Sequence, residues 1–223
     1  MKAVDQVVIR LHFASRVSRP APSHLRGAIA AMFPDDPLFH QHEEGELLYR
    51  MPRIQYRWDA GGAMLVGLEE AARRLVTVAW PGMELRLGND RVRITDAECT
   101  FRRTEVETVD RLLRYQFMAP WLPFSQENYK RYGEMALEDR EAERDRLARA
   151  GILIGLRGLG VEVRERLLVA VEDARPERCL YKGVEMLGFT GRVLLNLRLP
   201  PGFAFGRAVS HGYGWVMPEV PTK

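Results

Sequence analysis

The sequence predicts an α+β protein built on antiparallel sheets, and three observations carry that prediction. Apolar and polar residues alternate around Val7, Ile9, Leu11 and Phe13 and again around Ile54, Tyr56 and Trp58, the period-two pattern of strands with one face in the core. Helical spacing appears between them, at Leu25, Ile29 and Phe33 and at Ala72, Leu75 and Val76. The turn sequences Asp59-Ala60-Gly61-Gly62 and Gly88-Asn89-Asp90 are short enough to join neighbouring strands as hairpins.

In chain order, a strand begins at Val7, and the two prolines of Arg19-Pro20-Ala21-Pro22-Ser23 prevent it from continuing. Ser23 is placed to cap a helix that stops before Pro34. A strand over 53–58 turns at Gly61-Gly62 into a second over 63–66, and a helix follows over 69–79. Met83, Leu85 and Leu87 then alternate into the Gly88 turn, and Val92 and Ile94 return as a hairpin. Strand, helix, strand, strand, helix, strand is the ferredoxin-like order. Further strands are expected over 100–106 and 112–117, followed by an apolar connector interrupted by Pro120 and Pro123. A helical region starts at Ser125, runs through a charged stretch over 138–149, turns apolar at Ile152 and Leu156, and ends at the glycines from 158 to 160. Strands over 161–171, 182–186 and 191–199 complete the reading, with Pro200-Pro201-Gly202 as a turn.

A chain of 223 residues with 46% hydrophobic side chains can bury one large core or two small ones, and the two halves each supplying strands and helix favour two. Net charge is +3 and the pI about 9.0, yet lysine occurs only at Lys2, Lys130, Lys182 and Lys223, so arginine carries nearly all the positive charge. Arginine holds phosphate through a fixed, always-charged fork, which suits nucleic acid, although a genome rich in arginine codons gives the same composition. Cys99 and Cys179 have no Cys-x-x-Cys partner, against a zinc ribbon or a disulfide framework. The N-terminus lacks a signal-peptide pattern and no apolar run approaches the roughly 20 residues that span a bilayer, so no membrane is expected and the cytoplasm is the expected compartment.

The candidate chemistry gathers between Asp36 and Tyr56. His40 and His42 are one residue apart, and on an extended backbone both would project to one side. Such a pair can act as base and acid in one proton transfer, can hold a metal with Glu43 or Glu44, or can sit idle in a solvated loop. His24 and Arg26 lie in the first turn of a helix, either as part of an anion site at free backbone amides or as solvated surface. Arg53, Gln55 and Arg57 share one face of a strand, fit for phosphate or base contact, or simply a half-exposed sheet surface. The charged stretch over 138–149 is expected to be a solvated helix face. Near the C-terminus, Gly202-Phe203-Ala204-Phe205-Gly206-Arg207-Ala208-Val209-Ser210-His211-Gly212-Tyr213-Gly214-Trp215 has no Walker lysine. Its glycines allow close backbone approach to a ligand, Arg207 can meet phosphate, and Phe203, Phe205 or Tyr213 can stack on bases. The alternative is a tight turn leading into a core strand with Tyr213, Trp215 and Val216.

Six segments in order carry a resemblance across nearly the whole chain: Leu25-Arg26-Gly27; Leu38-Phe39-His40-Gln41-His42; Tyr49-Arg50-Met51-Pro52-Arg53-Ile54-Gln55-Tyr56; Pro120-Trp121-Leu122-Pro123; Tyr181-Lys182-Gly183 with Met186-Leu187-Gly188-Phe189; and the glycine-rich stretch over 206–214. Together they resemble the CRISPR-associated repeat-cleaving endoribonucleases, the b-type branch of the Cas-six superfamily. The resemblance implies tandem ferredoxin-like (RRM-like) domains, 1–96 with the His-x-His stretch and 97–223 with the glycine-rich RNA-binding loop. It implies cleavage of precursor CRISPR RNA within repeats, with no metal and no cofactor, through attack by a 2′-hydroxyl that leaves a 2′,3′-cyclic phosphate and a 5′-hydroxyl.

By the same resemblance the catalytic positions are His40, His42, Tyr49 and Arg26. The RNA-binding positions expected are Arg50, with Arg53, Gln55 and Arg57 from the strand face, and, by the resemblance, Gly206, Arg207, Ser210, His211, Gly212, Tyr213 and Gly214 of the glycine-rich loop. The chemistry asks for those residue types: a base for the 2′-hydroxyl, an acid for the departing 5′-oxygen, and cations at the phosphoryl oxygens. The expected partners are precursor CRISPR repeat RNA and CRISPR effector subunits, with a homodimer also in view. Gln41 stands where the family often has asparagine, and no lysine lies near the site, so arginine must supply the charge. Two other readings stay open: a non-catalytic RNA-binding subunit of an effector complex, and a metal-dependent hydrolase on His40, His42 and Glu43.

Overall fold

The alternation that starts the chain forms β1 (Lys2–Phe13), which buries Val7, Ile9 and Leu11 on one side. The computed structural model describes residues 2–40, 42–43, 46–47 and 51–219, with backbone alone at 42–43 and 46–47. The next elements are α1 (Pro22–Met32), α2 (Pro37–His40), β2 (His42–Glu43), β3 (Glu46–Leu47), β4 (Ile54–Asp59), β5 (Gly62–Leu68), α3 (Glu70–Val76), β6 (Glu84–Leu87) and β7 (Asp90–Val106). Then come β8 (Thr108–Phe117), α4 (Gln126–Glu134), α5 (Asp139–Gly158), β9 (Val169–Tyr181), β10 (Val184–Leu197), a 3₁₀ turn (Val209–His211) and β11 (Val216–Pro218).

These elements make two compact units. The N-terminal unit, Val4–Thr104 with Ser210–Gly212, holds a five-stranded sheet in the order β4-β5-β1-β7-β6. Reading β1-α1-β4-β5-α3-β7 gives the ferredoxin-like path, and β6 adds an edge strand by hairpin to β7. Ile9 lies opposite Leu65 and Leu11 opposite Ala63, so the alternating sets of β1 and β5 fill one core with Leu25 and Ile29 of α1 and Leu75 of α3. The C-terminal unit, Met1–Ala3 with Glu105–Val209 and Tyr213–Lys223, holds a four-stranded sheet in the order β11-β8-β10-β9. Its path is β8-α5-β9-β10-β11, and where a second helix would lie the chain carries only the 3₁₀ turn within the glycine-rich stretch.

Several elements differ from the sequence expectation, each for a local reason. Ala21 rather than Ser23 is the N-cap of α1, because Pro22, with no amide hydrogen and a preset φ, takes the first helical turn. The strand expected over 100–106 is the end of one 17-residue strand, β7, which runs through the 96/97 division proposed from sequence, and the units part between Thr104 and Glu105. Residues 161–168 are irregular, and the strand begins only at Val169. Lys182 and Gly183, both at positive φ, form the β9–β10 turn instead of starting a strand. β10 then continues unbroken to Leu197 through a register shift between Thr190 and Arg192.

The proline-containing connector is core. Trp121 and Leu122 are fully buried, and Trp121 exchanges backbone hydrogen bonds of 2.8 and 2.9 Å with Phe189 while its ring lies nearly parallel to that of Phe117. Ser125 caps α4 by accepting from the Asn128 amide at 3.1 Å. The charged run of α5 is not all solvated. Glu143 is buried and accepts from Arg146 and from Arg131 of α4, which ties the two helices together. The described residues include no helix long and apolar enough to cross a membrane.

Candidate functional site

Asp36 and Pro37 create the element that carries His40. The Asp36 carboxylate accepts from the Leu38 amide at 3.1 Å and Pro37 opens the helix, so α2 forms although it is only four residues long. Phe39 is buried and its ring stacks on that of Phe33 with centroids 4.3 Å apart. The last carbonyls of a short helix have no intrahelical partner, and side chains meet both here. Tyr56 donates its hydroxyl to the Phe39 carbonyl at 3.4 Å, and Arg26 donates Nη2 to the His40 carbonyl at 3.2 Å.

The His40 imidazole, half-buried, is 2.8 Å from the Phe33 carbonyl through Nε2. A carbonyl only accepts, so Nε2 carries the hydrogen and Nδ1 is left to take or give a proton. Burial pushes the Tyr56 phenol well above its ordinary range; the Arg26 charge opposes this and the Asp36 charge adds to it. Arg26 Nε is buried with no hydrogen-bond partner among the described residues. A charged donor in that state suits an acceptor brought by a ligand.

The backbone passes from helix at His40 to strand at His42, which lies opposite Leu47. The two histidines therefore do not share one extended segment, and the same-side argument from their spacing does not apply. The His42 side chain, Tyr49 and Arg50 lie outside the described residues. His24 donates to the Arg19 carbonyl at 3.3 Å, two residues ahead of Arg26 on α1.

The polar row of β4 is less open than alternation suggests. Arg53 is part-exposed and pairs with Glu70 at 3.0 Å. Gln55 and Arg57 are buried, 0% and 3% exposed, and Arg57 donates Nη2 to the Gln55 side-chain oxygen Oε1 at 2.5 Å. Burial pulls the Arg57 pKa down to about 9. Of the three, only Arg53 stands toward solvent.

The glycine-rich stretch divides between the units. Phe203 and Phe205 are buried in the C-terminal unit, so they are core rather than base-stacking surface. Gly206, at φ +93°, passes so close to Trp121 that a Cβ there would lie 2.7 Å from the indole ring. Gly206 and Arg207 are exposed, and the Arg207 amide donates to the Leu122 carbonyl at 2.9 Å. Gly214 donates to the Pro120 carbonyl at 3.0 Å and accepts from Phe205, and Tyr213 donates its hydroxyl to the Leu180 carbonyl at 3.1 Å. The tip, Ser210–Gly212, groups with the N-terminal unit. Gly212 sits against the start of α1 and against β4: a Cβ there would lie 2.7 Å from Pro22 and 3.0 Å from the Tyr56 carbonyl. His211 Nδ1 is 3.2 Å from the Ser210 hydroxyl.

Within one unit, then, the fold gathers His40, Arg26 and the tip of the glycine-rich stretch, with Tyr56 touching both His40's helix and Gly212. Sequence reasoning missed Asp36 and Tyr56 as supports of this arrangement. The Asp-Pro pair was a legible helix start for the first of them.

Comparison with known proteins locates the chain further. The model of the Cas6b N-terminal domain matches residues 4–105, and that of the Cas6b C-terminal domain matches residues 107–219. A crystal structure of a Cas6b shares 25% identity with a TM-score of 0.87, covering 98% of this chain and all of its own. A second, described as a CRISPR RNA processing endoribonuclease Cas6b, shares the fold at 22% identity and a TM-score of 0.77, with 98% and 100% coverage. The uncharacterized protein MJ0978 of Methanocaldococcus jannaschii is 26% identical over 134 residues, 60% of this chain and 91% of its own.

Proposed function

The chain belongs to the Cas6b family, and from that premise we propose that it is an RNA-processing endoribonuclease that cuts precursor CRISPR transcripts within their repeats without a metal ion. In the proposed reaction a ribose 2′-hydroxyl loses its proton and attacks the adjacent phosphorus. The bond to the 5′-oxygen breaks as that oxygen gains a proton, leaving a 2′,3′-cyclic phosphate and a 5′-hydroxyl.

The observation that carries this reading is the pairing of His40 with Arg26. The imidazole is held by Nε2 to Phe33, which frees Nδ1 for proton transfer, and a guanidinium whose buried Nε has no partner among the described residues sits at the same residue's carbonyl. His40 serves as one proton-transfer partner and His42 or Tyr49 as the other. Arg26, with Arg50, balances the charge that grows on the phosphoryl oxygens. Tyr56 takes no part in proton transfer, because burial keeps it a neutral phenol and its hydrogen is given to Phe39. Arg53, Arg207 and the glycine-rich stretch hold the RNA, with Ser210, His211 and Tyr213 beside them, while the amides of Arg207 and Gly214 stay with the Leu122 and Pro120 carbonyls. Gln55 and Arg57, being buried, support β4 from within.

The test uses purified protein, the repeat RNA of its own genome, EDTA, a substrate with a 2′-deoxy group at the cut, and the His40→Ala variant. Cleavage by wild type in EDTA, abolished by the 2′-deoxy group and by His40→Ala, is the expected result. Binding without cleavage, even with magnesium or manganese restored, identifies a non-catalytic binding subunit instead. Cleavage only on adding metal makes the histidines a ligand set and overturns the mechanism.

A further inference from the structure

We infer that Arg74 is a positioning residue for the His40 imidazole, acting through Asp36 and Phe33; the inference rests on His40 being the proton-transfer group proposed above. Arg74 does not touch His40. It lies at the end of α3, where Nη1 donates to the Thr77 hydroxyl at 2.9 Å and fixes the guanidinium on its own helix. Its Nε donates to the Asp36 carboxylate at 2.7 Å, and its plane covers the rings of Phe33 at 5.3 Å and Phe39 at 5.6 Å.

Each contact governs a determinant of the imidazole. Asp36 starts the helix that ends in His40, through the Leu38 amide, and its own amide donates to the Phe33 carbonyl at 3.2 Å. That same carbonyl accepts the His40 Nε2 hydrogen. Arg74 thus holds both the helix start and the residue that chooses the tautomer. A neutral imidazole offers its free lone pair at Nδ1 only while Nε2 keeps the hydrogen, so loosening Phe33 mixes the two tautomers and misaims the ring. A misplacement of about 1 Å is enough to cost a rate about 10²-fold. An exposed ion pair alone would do little. The Arg74–Asp36 pair is different because it is part-buried, stacked on two rings and shared by two elements.

The test is ¹⁵N-imidazole NMR of the free, full-length protein, with the His40 signals identified by their loss in His40→Ala, alongside single-turnover cleavage and RNA affinity. Wild type should give the Nε2–H pattern. Arg74→Ala and Asp36→Asn should give a tautomer mixture and a cleavage rate about 10²-fold lower, with RNA affinity within about two-fold of wild type. Arg74→Lys, which keeps the charge opposite Asp36, should recover part of both. An unchanged Nε2–H pattern in folded Arg74→Ala and Asp36→Asn overturns the inference, as does a rate loss matched by the loss of affinity. If His40→Ala cleaves like wild type, the assignment of His40 as the proton-transfer group fails, while the tautomer measurement, which needs no RNA, still decides whether Arg74 sets the ring.

Discussion

Gln55 and Arg57, two residues apart on β4, meet at 2.5 Å on a buried side of the strand. A guanidinium taken out of water depends on acceptors that cannot be replaced by solvent. Gln55→Ala removes one of them and should lower stability by about 1–3 kcal/mol. Urea unfolding of the two proteins at pH 7 measures the difference, and an unchanged midpoint would show that the contact is dispensable.

Glu143 gives a pH-dependent counterpart. The hydrogen bond from Arg146, joined by that from Arg131, holds its pKa at about 2 against the opposing pull of burial. A carboxylate with a folded pKa below its unfolded value stabilises above the unfolded value, near 4.5, and loses that contribution as pH falls toward 2. Both arginines are about half exposed, so solvent screening limits the contribution to about 1–2 kcal/mol. Glu143→Gln should be less stable than wild type at pH 7 and nearly equal to it at pH 2, as read from thermal midpoints across that range.

At Gly206 the backbone lies at φ +93° and a methyl group would strike the Trp121 indole and the Leu122 carbonyl. Gly206→Ala should destabilise the protein by about 1–3 kcal/mol. Differential scanning calorimetry gives the value, and a midpoint within a degree of wild type would mean that the turn can open.

For the reaction, His40→Ala should slow single-turnover cleavage by about 10²–10⁴-fold. Arg26→Ala should slow it by about 10²-fold or more, through loss of charge at the phosphate and of the clamp on the His40 carbonyl. Repeat-RNA affinity measured in parallel separates a chemical role from a binding one. A loss confined to affinity would move either residue from catalysis to substrate contact.

Most of the sheet framework was legible because alternation in β1 and β4 marks which side chains share a face. Alternation does not say whether the second face is covered, which is why Gln55 and Arg57 read as an open row. α2 escaped notice because periodicity needs several turns to register, while its cause, Asp36 capping Leu38 ahead of Pro37, is local. The aromatic residues of the glycine-rich stretch read equally as stacking platforms or core, and only their packing separates buried Phe203 and Phe205 from part-exposed Tyr213. His40 and Arg26 were visible as residue types from the start. Their meeting was not, since it runs through main-chain carbonyls whose position no side-chain pattern records.

The units trade small pieces of chain. Lys2 belongs with the C-terminal unit, where its ammonium group caps the end of α5 at the Leu159 carbonyl, 2.7 Å away, and Ser210–Gly212 belongs with the N-terminal one. Scissors applied at Thr104/Glu105 would therefore hand each fragment a domain with a part missing: one without the tripeptide that seats against Pro22 and Tyr56, the other without the lysine that closes its long helix. For anyone dissecting this protein by truncation, the seam in the sequence and the seam in the packing are different lines.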